Sequence, residues 1–255
     1  MSIETAIFLG LAAGFAGFVD AIAGGGGLIQ LPALLIGLQA KELPLILGTN
    51  KVPAVFGTSS AAINYFRTVK PDLRLTVTMM APAFVGSVAG AFSATAIPKD
   101  LFRPVIVLLL ILVAIYTWRK PELGMSENLK YSHKSRLILV FLIGLTIGFY
   151  DGIFGPGTGT FLVFFLVIGI GYAFLKASAT AKLVNIATNL GAILTFQLTG
   201  HIWWKLGLLM AIANVTGAII GSRLAIRGGS PLVRKVFLAV TVLLILRVAW
   251  DTFIS

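Results

Sequence analysis

Apolar residues run along this chain in long blocks with few polar interruptions, and the blocks are too long for the strands or amphipathic helices of a soluble core. Stretches near the length of a membrane-crossing helix lie at Leu43 to Phe66, Leu75 to Ile97, Leu101 to Trp118, Tyr172 to Thr199, Trp203 to Ile226 and Leu232 to Phe253. Two further blocks, Thr5 to Leu38 and Leu137 to Ile170, are longer than one crossing needs, and each is interrupted by glycines. The pattern predicts an all-α polytopic membrane protein with eight hydrophobic segments. Glu4 stands where a signal peptide would be basic, and no small-residue cleavage site follows, so the first segment is expected to be retained as a span.

One offset aligns the chain with itself without gaps. A shift of 131 residues carries Asp20 onto Asp151, Gly17 onto Gly148, Gly24 onto Gly155, Gly26 onto Gly157, Thr49 onto Thr180 and Lys51 onto Lys182. The same shift carries Gly86 and Gly90 onto Gly217 and Gly221, and Arg103 onto Arg234. Generic apolar similarity would not superimpose rare charges, so the chain reads as a duplication. Residues 1–120 form the first transmembrane repeat and 136–255 the second, joined by a polar cytoplasmic linker, 121–135. If all eight segments cross, the loop Lys and Arg divide ten against eight between the two sides. If the overlong segments break at their glycines and return to the side they entered from, thirteen gather on the linker side against five. The cytoplasmic excess of positive charge favours the latter. It gives two inverted-topology repeats, each with a re-entrant first segment plus three transmembrane helices, and both termini outside.

Composition sharpens the class. The chain is 58% apolar and only 11% charged, with a mean hydropathy of +0.98, whereas soluble domains carry about 25% charged residues; the bilayer is its solvent. A net charge of +11 does not point to nucleic acid, because the cations sit in short loops between apolar segments, where they set orientation. The absence of cysteine excludes disulfides, thiol redox chemistry and Cys-ligated metals, and no cofactor is expected.

Polar residues at membrane depth carry the candidate chemistry. Asp20 precedes four glycines, Gly24, Gly25, Gly26 and Gly27, and Asp151 precedes Gly155, Pro156, Gly157, Thr158 and Gly159. Neither run sustains a helix, and unwound backbone survives in a membrane only where it is packed in protein or lines a cavity. The helix that restarts after each break offers unpaired N–H groups and a positive dipole end, which suits an anion. Asp20, Asp151, Lys51 and Lys182 each cost roughly 2.5–3.5 kcal/mol at the bilayer centre if left alone, so they must be paired, hydrated or lining a pathway. One reading is an Asp–Lys pair within each half that locks the fold; the other makes the lysines partners of a substrate anion and the aspartates proton carriers or holders of the lysines. Lys182, Asn185 and Asn189 fall on one helical stripe, and Asn50 stands beside Lys51 with Thr58 seven residues on. Such a set of donors fits an oxyanion, though asparagines also join helices. Gln30 joins the candidate set by position alone. Gly86 with Gly90 and Gly217 with Gly221 read as helix-packing motifs, and Trp118, Trp203, Trp204 and Trp250 as interface anchors.

On Val19-Asp-Ala-Ile-Ala-Gly-Gly-Gly-Gly-Leu28, Thr49-Asn-Lys51, Phe149-Tyr-Asp-Gly-Ile-Phe-Gly-Pro-Gly157 and Ala181-Lys-Leu-Val-Asn185, the chain resembles the sulfite exporter TauE/SafE family along its whole length. The resemblance implies a multi-pass permease of the bacterial cytoplasmic (inner) membrane that carries sulfite, organosulfonates or related small anions, in the manner of a secondary transporter of the exporter type. Its partners are then the anion and the lipid bilayer, with a homodimer left open, and alternating access is expected from rocking of the halves. Pro156 and Thr158 stand where the first copy has Gly25 and Gly27, and Asn185 and Asn189 where it has Ala54 and Thr58, so asymmetric binding is expected. A passive anion channel is the alternative. An intramembrane aspartyl hydrolase fits poorly, because lysine partners would spoil a shared-proton dyad.

Overall fold

The computed structural model describes residues 2–38, 41–94, 111 and 114–253, and every regular element among them is helical. The first half contains α1 (Ile3–Ala23), α2 (Gly27–Gly37), α3 (Leu43–Val69) and α4 (Leu73–Ser93). The second contains α5 (His133–Ile153), α6 (Thr158–Phe165, prolonged by the π-turn Leu166–Ile170), α7 (Phe174–Leu198) and α8 (Trp204–Phe253). Residues 114–119 are also helical; most of the expected Leu101 to Trp118 segment, Arg103 included, lies outside the described residues. α8 is two helices in sequence, matching the two expected segments: Gly229 leaves the helical region at φ 62° just ahead of Pro231 and kinks the chain between them.

The 131-residue offset recurs in the helix starts: α2, α3 and α4 begin at 27, 43 and 73, and α6, α7 and α8 at 158, 174 and 204. α1 and α5 each open on a serine cap, the Ser2 hydroxyl accepting from the Thr5 amide at 3.2 Å and Ser132 from Ser135 at 3.3 Å. Ile3–Ala23, Leu73–Ser93, His133–Ile153 and Trp204–Leu243 are long and apolar enough to cross a bilayer, which makes this a multi-pass membrane protein. α3 and α7 carry the buried polar residues and pack against each other, α3 also on α8 and α7 on α4.

Glycine sets how these helices meet. A Cβ on Gly148 would lie 2.2 Å from the Ala83 carbonyl oxygen, and one on Gly90 2.1 Å from that of Phe149, so α4 and α5 touch backbone to backbone. Across the other seam, a Cβ on Gly217 would lie 1.9 Å from the Gly14 oxygen and one on Gly221 2.3 Å from that of Phe18. The GxxxG pairs are therefore packing motifs. Along both seams residue numbers rise together, Gly144, Gly148 and Gly152 against Met79, Ala83 and Ser87, so α4 runs parallel to α5 and α1 to α8. Each break also turns the chain back on itself: Gly37 at the end of α2 packs on Leu9 in α1, and Gly169 on Leu139 in α5.

Two larger apolar clusters and a small one around Val19, Phe161 and Val240 fill the described bundle, and the two larger share members related by the 131-residue shift. One gathers Tyr65, Leu75, Met79, Val140, Leu162 and Ala177; the other contains Leu9, Leu31, Ile46, Phe196, Leu206 and Met210. On α3 the order is Ile46 in one cluster, Lys51 and Thr58, then Tyr65 in the other; α7 runs from Phe174 through Asn185 and Asn189 to Phe196. The polar residues thus occupy a belt between two apolar caps. The linker is folded onto the second half: the Asn128 and Lys130 amides donate to the Gly171 and Ile170 carbonyls at 2.8 and 2.9 Å, and Phe174 N donates to Gly124 O at 2.7 Å. Lys130 Nζ caps the π-turn at the Ile168 carbonyl (2.7 Å), and Arg234 reaches the Thr117 carbonyl at 2.7 Å.

Candidate functional site

The two breaks use different backbone solutions to the same bend. Gly24 and Gly25 lie at φ 80° and 95°, a region that only glycine enters freely. In the second copy Gly155 matches Gly24 at φ 89°, but proline holds position 156 at negative φ, and the next left-handed residue becomes Gly157 at φ 85°. The breaks meet directly: a Cβ on Gly24 would stand 2.3 Å from the Gly159 carbonyl carbon. Tyrosine hydroxyls brace the chain beside them, Tyr65 donating to the Ala21 carbonyl at 2.8 Å and Tyr150 to that of Pro156.

The charges pair across the halves. Lys51 Nζ lies 2.8 Å from Asp151 Oδ2 and donates to the Asp151 carbonyl at 2.8 Å. A Cβ on Gly155 would come within 2.9 Å of that ammonium, so glycine keeps its approach open. Lys182 Nζ lies 3.0 Å from Asp20 Oδ2, which also accepts from Thr58 Oγ1 at 3.3 Å, while Oδ1 accepts from the Gly26 amide at 3.3 Å. An Asp–Lys pair inside each half is therefore not what forms. The parallel seams set α1 and α3 against the second half, and each lysine reaches the aspartate of the other copy. The Lys51–Asp151 side chains are 4% exposed each, whereas Lys182 is sealed at 0% behind an Asp20 that retains 19%.

A cavity of about 40 Å³ lies at this belt, between the breaks. One water needs ~10–15 Å³ by this measure, so a small anion fits. Asp20, Gly25, Gly26, Gly27, Gln30, Asn50 and Lys51 line it from the first half, and Asp151, Gly155, Gly157, Thr158, Asn185 and Asn189 from the second. Gly24 and Lys182 do not line it: Gly24 is spent on the contact with Gly159, and Lys182 stands behind Asp20. Gln30 Nε2 donates to Asn50 Oδ1 at 2.8 Å, and Asn189 Nδ2 donates to both oxygens of Asn185. The Nδ2 groups of Asn50 and Asn185 consequently have no acceptor among the described residues. Both restarted helices lack a side-chain cap; the Leu28 and Ile29 amides turn back to the Gly25 and Gly26 carbonyls at 3.0 Å and the Thr158 amide to Gly155 at 3.1 Å, so the amides left as donors among the described residues are those of Gly27, Gly159 and Thr160.

Thr58 lines the cavity too, as do Asn214 and Gly159, which the sequence had not singled out as site residues. Asn214 Nδ2 donates to Gln30 Oε1 at 2.8 Å and so orients the Gln30 amide. Its position in the other copy is Ala83, so the duplication conceals it; the usable signal was a lone asparagine in an apolar helix. Asn214→Ala is expected to weaken anion binding about fivefold, the worth of one net hydrogen bond of ~1 kcal/mol, as read by ligand-dependent thermal shift.

The arrangement, one reachable cation, amide donors and two helix N-termini around a small cavity, can hold a small anion. The family model described as Sulfite exporter TauE/SafE matches residues 9–248. The chain belongs to the sulfite exporter TauE/SafE family. Among its relatives, the probable membrane transporter protein ORF9 of Sinorhizobium sp is 39% identical over 245 residues, covering 96% of this chain and 92% of that one. The probable membrane transporter protein YfcA of Escherichia coli K12 is 34% identical over 237 residues, covering 93% and 87%. The probable membrane transporter protein YdhB of Bacillus subtilis is 26% identical over 216 residues, covering 84% and 85%. No solved structure matches the chain. Family and relatives alike indicate a membrane transporter rather than an enzyme, and each aspartate is paired with a lysine.

Proposed function

We propose that this protein is a secondary transporter that moves small oxyanions, sulfite or organosulfonates, across the bacterial cytoplasmic membrane, with export as the direction the family description favours. The observation that carries the reading is the cavity itself, where Lys51 and the Asn50 and Asn185 amides converge beside two uncapped helix N-termini. The parallel packing of α4 with α5 and of α1 with α8 supports an inverted relation between repeats 1–120 and 136–255. In that arrangement α1–α2 and α5–α6 are re-entrant hairpins and the linker lies in the cytoplasm with the basic ends. A passive channel is disfavoured by the close packing of Gly24 on Gly159, where the two breaks touch.

Rocking of the two sequence halves suits this packing poorly, because the tightest seams tie helices of opposite halves. The moving units are better drawn as α1 with α8 and α4 with α5, sliding past α3 and α7. The test is a panel of sulfite, methanesulfonate, thiosulfate, sulfate and acetate against the purified protein and in proteoliposomes. Sulfite and methanesulfonate should raise the melting temperature and show saturable counterflow. Stabilisation by none of them, with no counterflow, would overturn the assignment.

A further inference from the structure

We propose that the site carries a monovalent anion together with one proton, the anion taking Lys51 and the proton taking Asp151. This rests on the transport reading and adds its coupling. The two lysines and two aspartates of the belt sum to zero charge, and each is committed to its partner. Only one lysine lines the cavity, Lys51; Lys182 is enclosed behind Asp20. An incoming anion that gains a full positive partner must therefore draw Lys51 from Asp151.

The response of Asp151 depends on the groups that face it. Lys51 on α3 is its cation; Thr158 on α6 holds Oδ1 at 2.7 Å; Asn185 and Asn189 on α7 line the same cavity, as does Asp20 on α1, whose own cation is Lys182. Tyr150, on its own helix, is turned to the Pro156 carbonyl. Among the described residues no second cation is in place to replace Lys51. A buried carboxylate stripped of its counter-ion takes up a proton rather than remain charged: the carboxylate and one proton drawn from the bulk solution on the side the anion enters from become a carboxylic acid, Lys51 stays an ammonium, and the anion supplies the missing negative charge.

The receiving geometry for that proton is already built. Thr158 Oγ1 lies 2.7 Å from Asp151 Oδ1 and 2.7 Å from the Gly155 carbonyl oxygen. With Asp151 ionised, the hydroxyl donates to the carboxylate; with Asp151 protonated, the hydroxyl turns its hydrogen to Gly155 O and accepts from the acid. The position equivalent to Thr158 in the first copy is Gly27; the hydroxyl on Asp20 is that of Thr58, at 3.3 Å and with no second acceptor in hydrogen-bond contact among the described residues, so the asymmetry of the two sites assigns the proton to Asp151. The loaded site is then neutral, so its movement does not sense membrane voltage. A dianion would need a second lysine, and Lys182 is out of reach.

The test uses wild-type protein in proteoliposomes with methanesulfonate, the anion of a strong acid that cannot carry its own proton through the lipid. Expected are one proton entering per methanesulfonate, followed with a trapped pH dye, a rate unchanged when potassium and valinomycin set the voltage, and no competition from sulfate. Asp151→Asn, which fixes the neutral form, should bind methanesulfonate with an affinity independent of pH, where the wild type loses about tenfold per pH unit as the solution turns alkaline. Methanesulfonate flux without proton movement, or flux that follows voltage, overturns the coupling while leaving anion transport standing. Competition by sulfate equal to that of methanesulfonate overturns the monoanion limit. Absence of any anion flux instead overturns the transport reading beneath it.

Discussion

Replacing Lys51 with methionine is expected to bring anion flux to background and to destabilise the protein by about 3–5 kcal/mol, the range for removing one member of a buried ion pair. Asp151 would be left without its counter-ion and with only Thr158 to hold it, so that it must take up a proton to stay buried. Loss of transport alone could then reflect misfolding, so the informative partner is Lys51→Met with Asp151→Asn, which removes both charges. Replacing a whole buried pair with neutral groups is often close to neutral in stability, so the double variant should melt near the wild type and still fail to move anions. Lys182→Met should behave differently. Asp20 keeps the Gly26 amide and the Thr58 hydroxyl and is partly exposed to the cavity, so the loss of stability is smaller and anion affinity falls less than for Lys51. Sulfonate counterflow that survives in the folded double variant would remove Lys51 from the site.

How much of this was legible in the sequence depends on the range of the forces involved. Span lengths, the breaks and the duplication come from local chemistry: apolar length, the inability of Gly24–Gly27 or Gly155–Pro156–Gly157 to stay helical, and charges recurring at one offset. The helix starts keep that offset because caps and breaks are local too. The pairing of the charges was not legible. Asp20 and Lys51 lie close in sequence, and only the parallel seams, set by backbone contact at Gly148 and Gly217, direct each lysine to the other copy. The same tertiary fact separates the two lysines, one lining the cavity and the other enclosed. Asn214 escaped because it acts through Gln30, and an orienting residue leaves no motif of its own. The linker reads as a polar spacer, yet its backbone caps Ile170 and Gly171, a role that composition does not encode.

Gly217→Val and Gly148→Val are expected to cost about 3 kcal/mol or more each, at the upper end for overpacking, because the added atoms meet carbonyl oxygens at 1.9 and 2.2 Å and backbone cannot step aside as a side chain can. Gly10→Val is the control: nothing lies within 4 Å of its Cβ position, so melting should hardly move. Equal effects at all three positions would show that helix propensity, not the seams, governs the loss. The seams also make a statement about motion that the chain's lack of cysteine allows to be tested cleanly. A Cβ on Gly14 would lie 3.8 Å from that of Ala213, within the ~3.5–4.5 Å that a disulfide spans. Oxidised Gly14→Cys/Ala213→Cys protein, with α1 locked to α8, should retain most of its counterflow if these helices travel as one body. If locking abolishes flux and reduction restores it, the seam opens during the cycle and the two sequence halves do move apart.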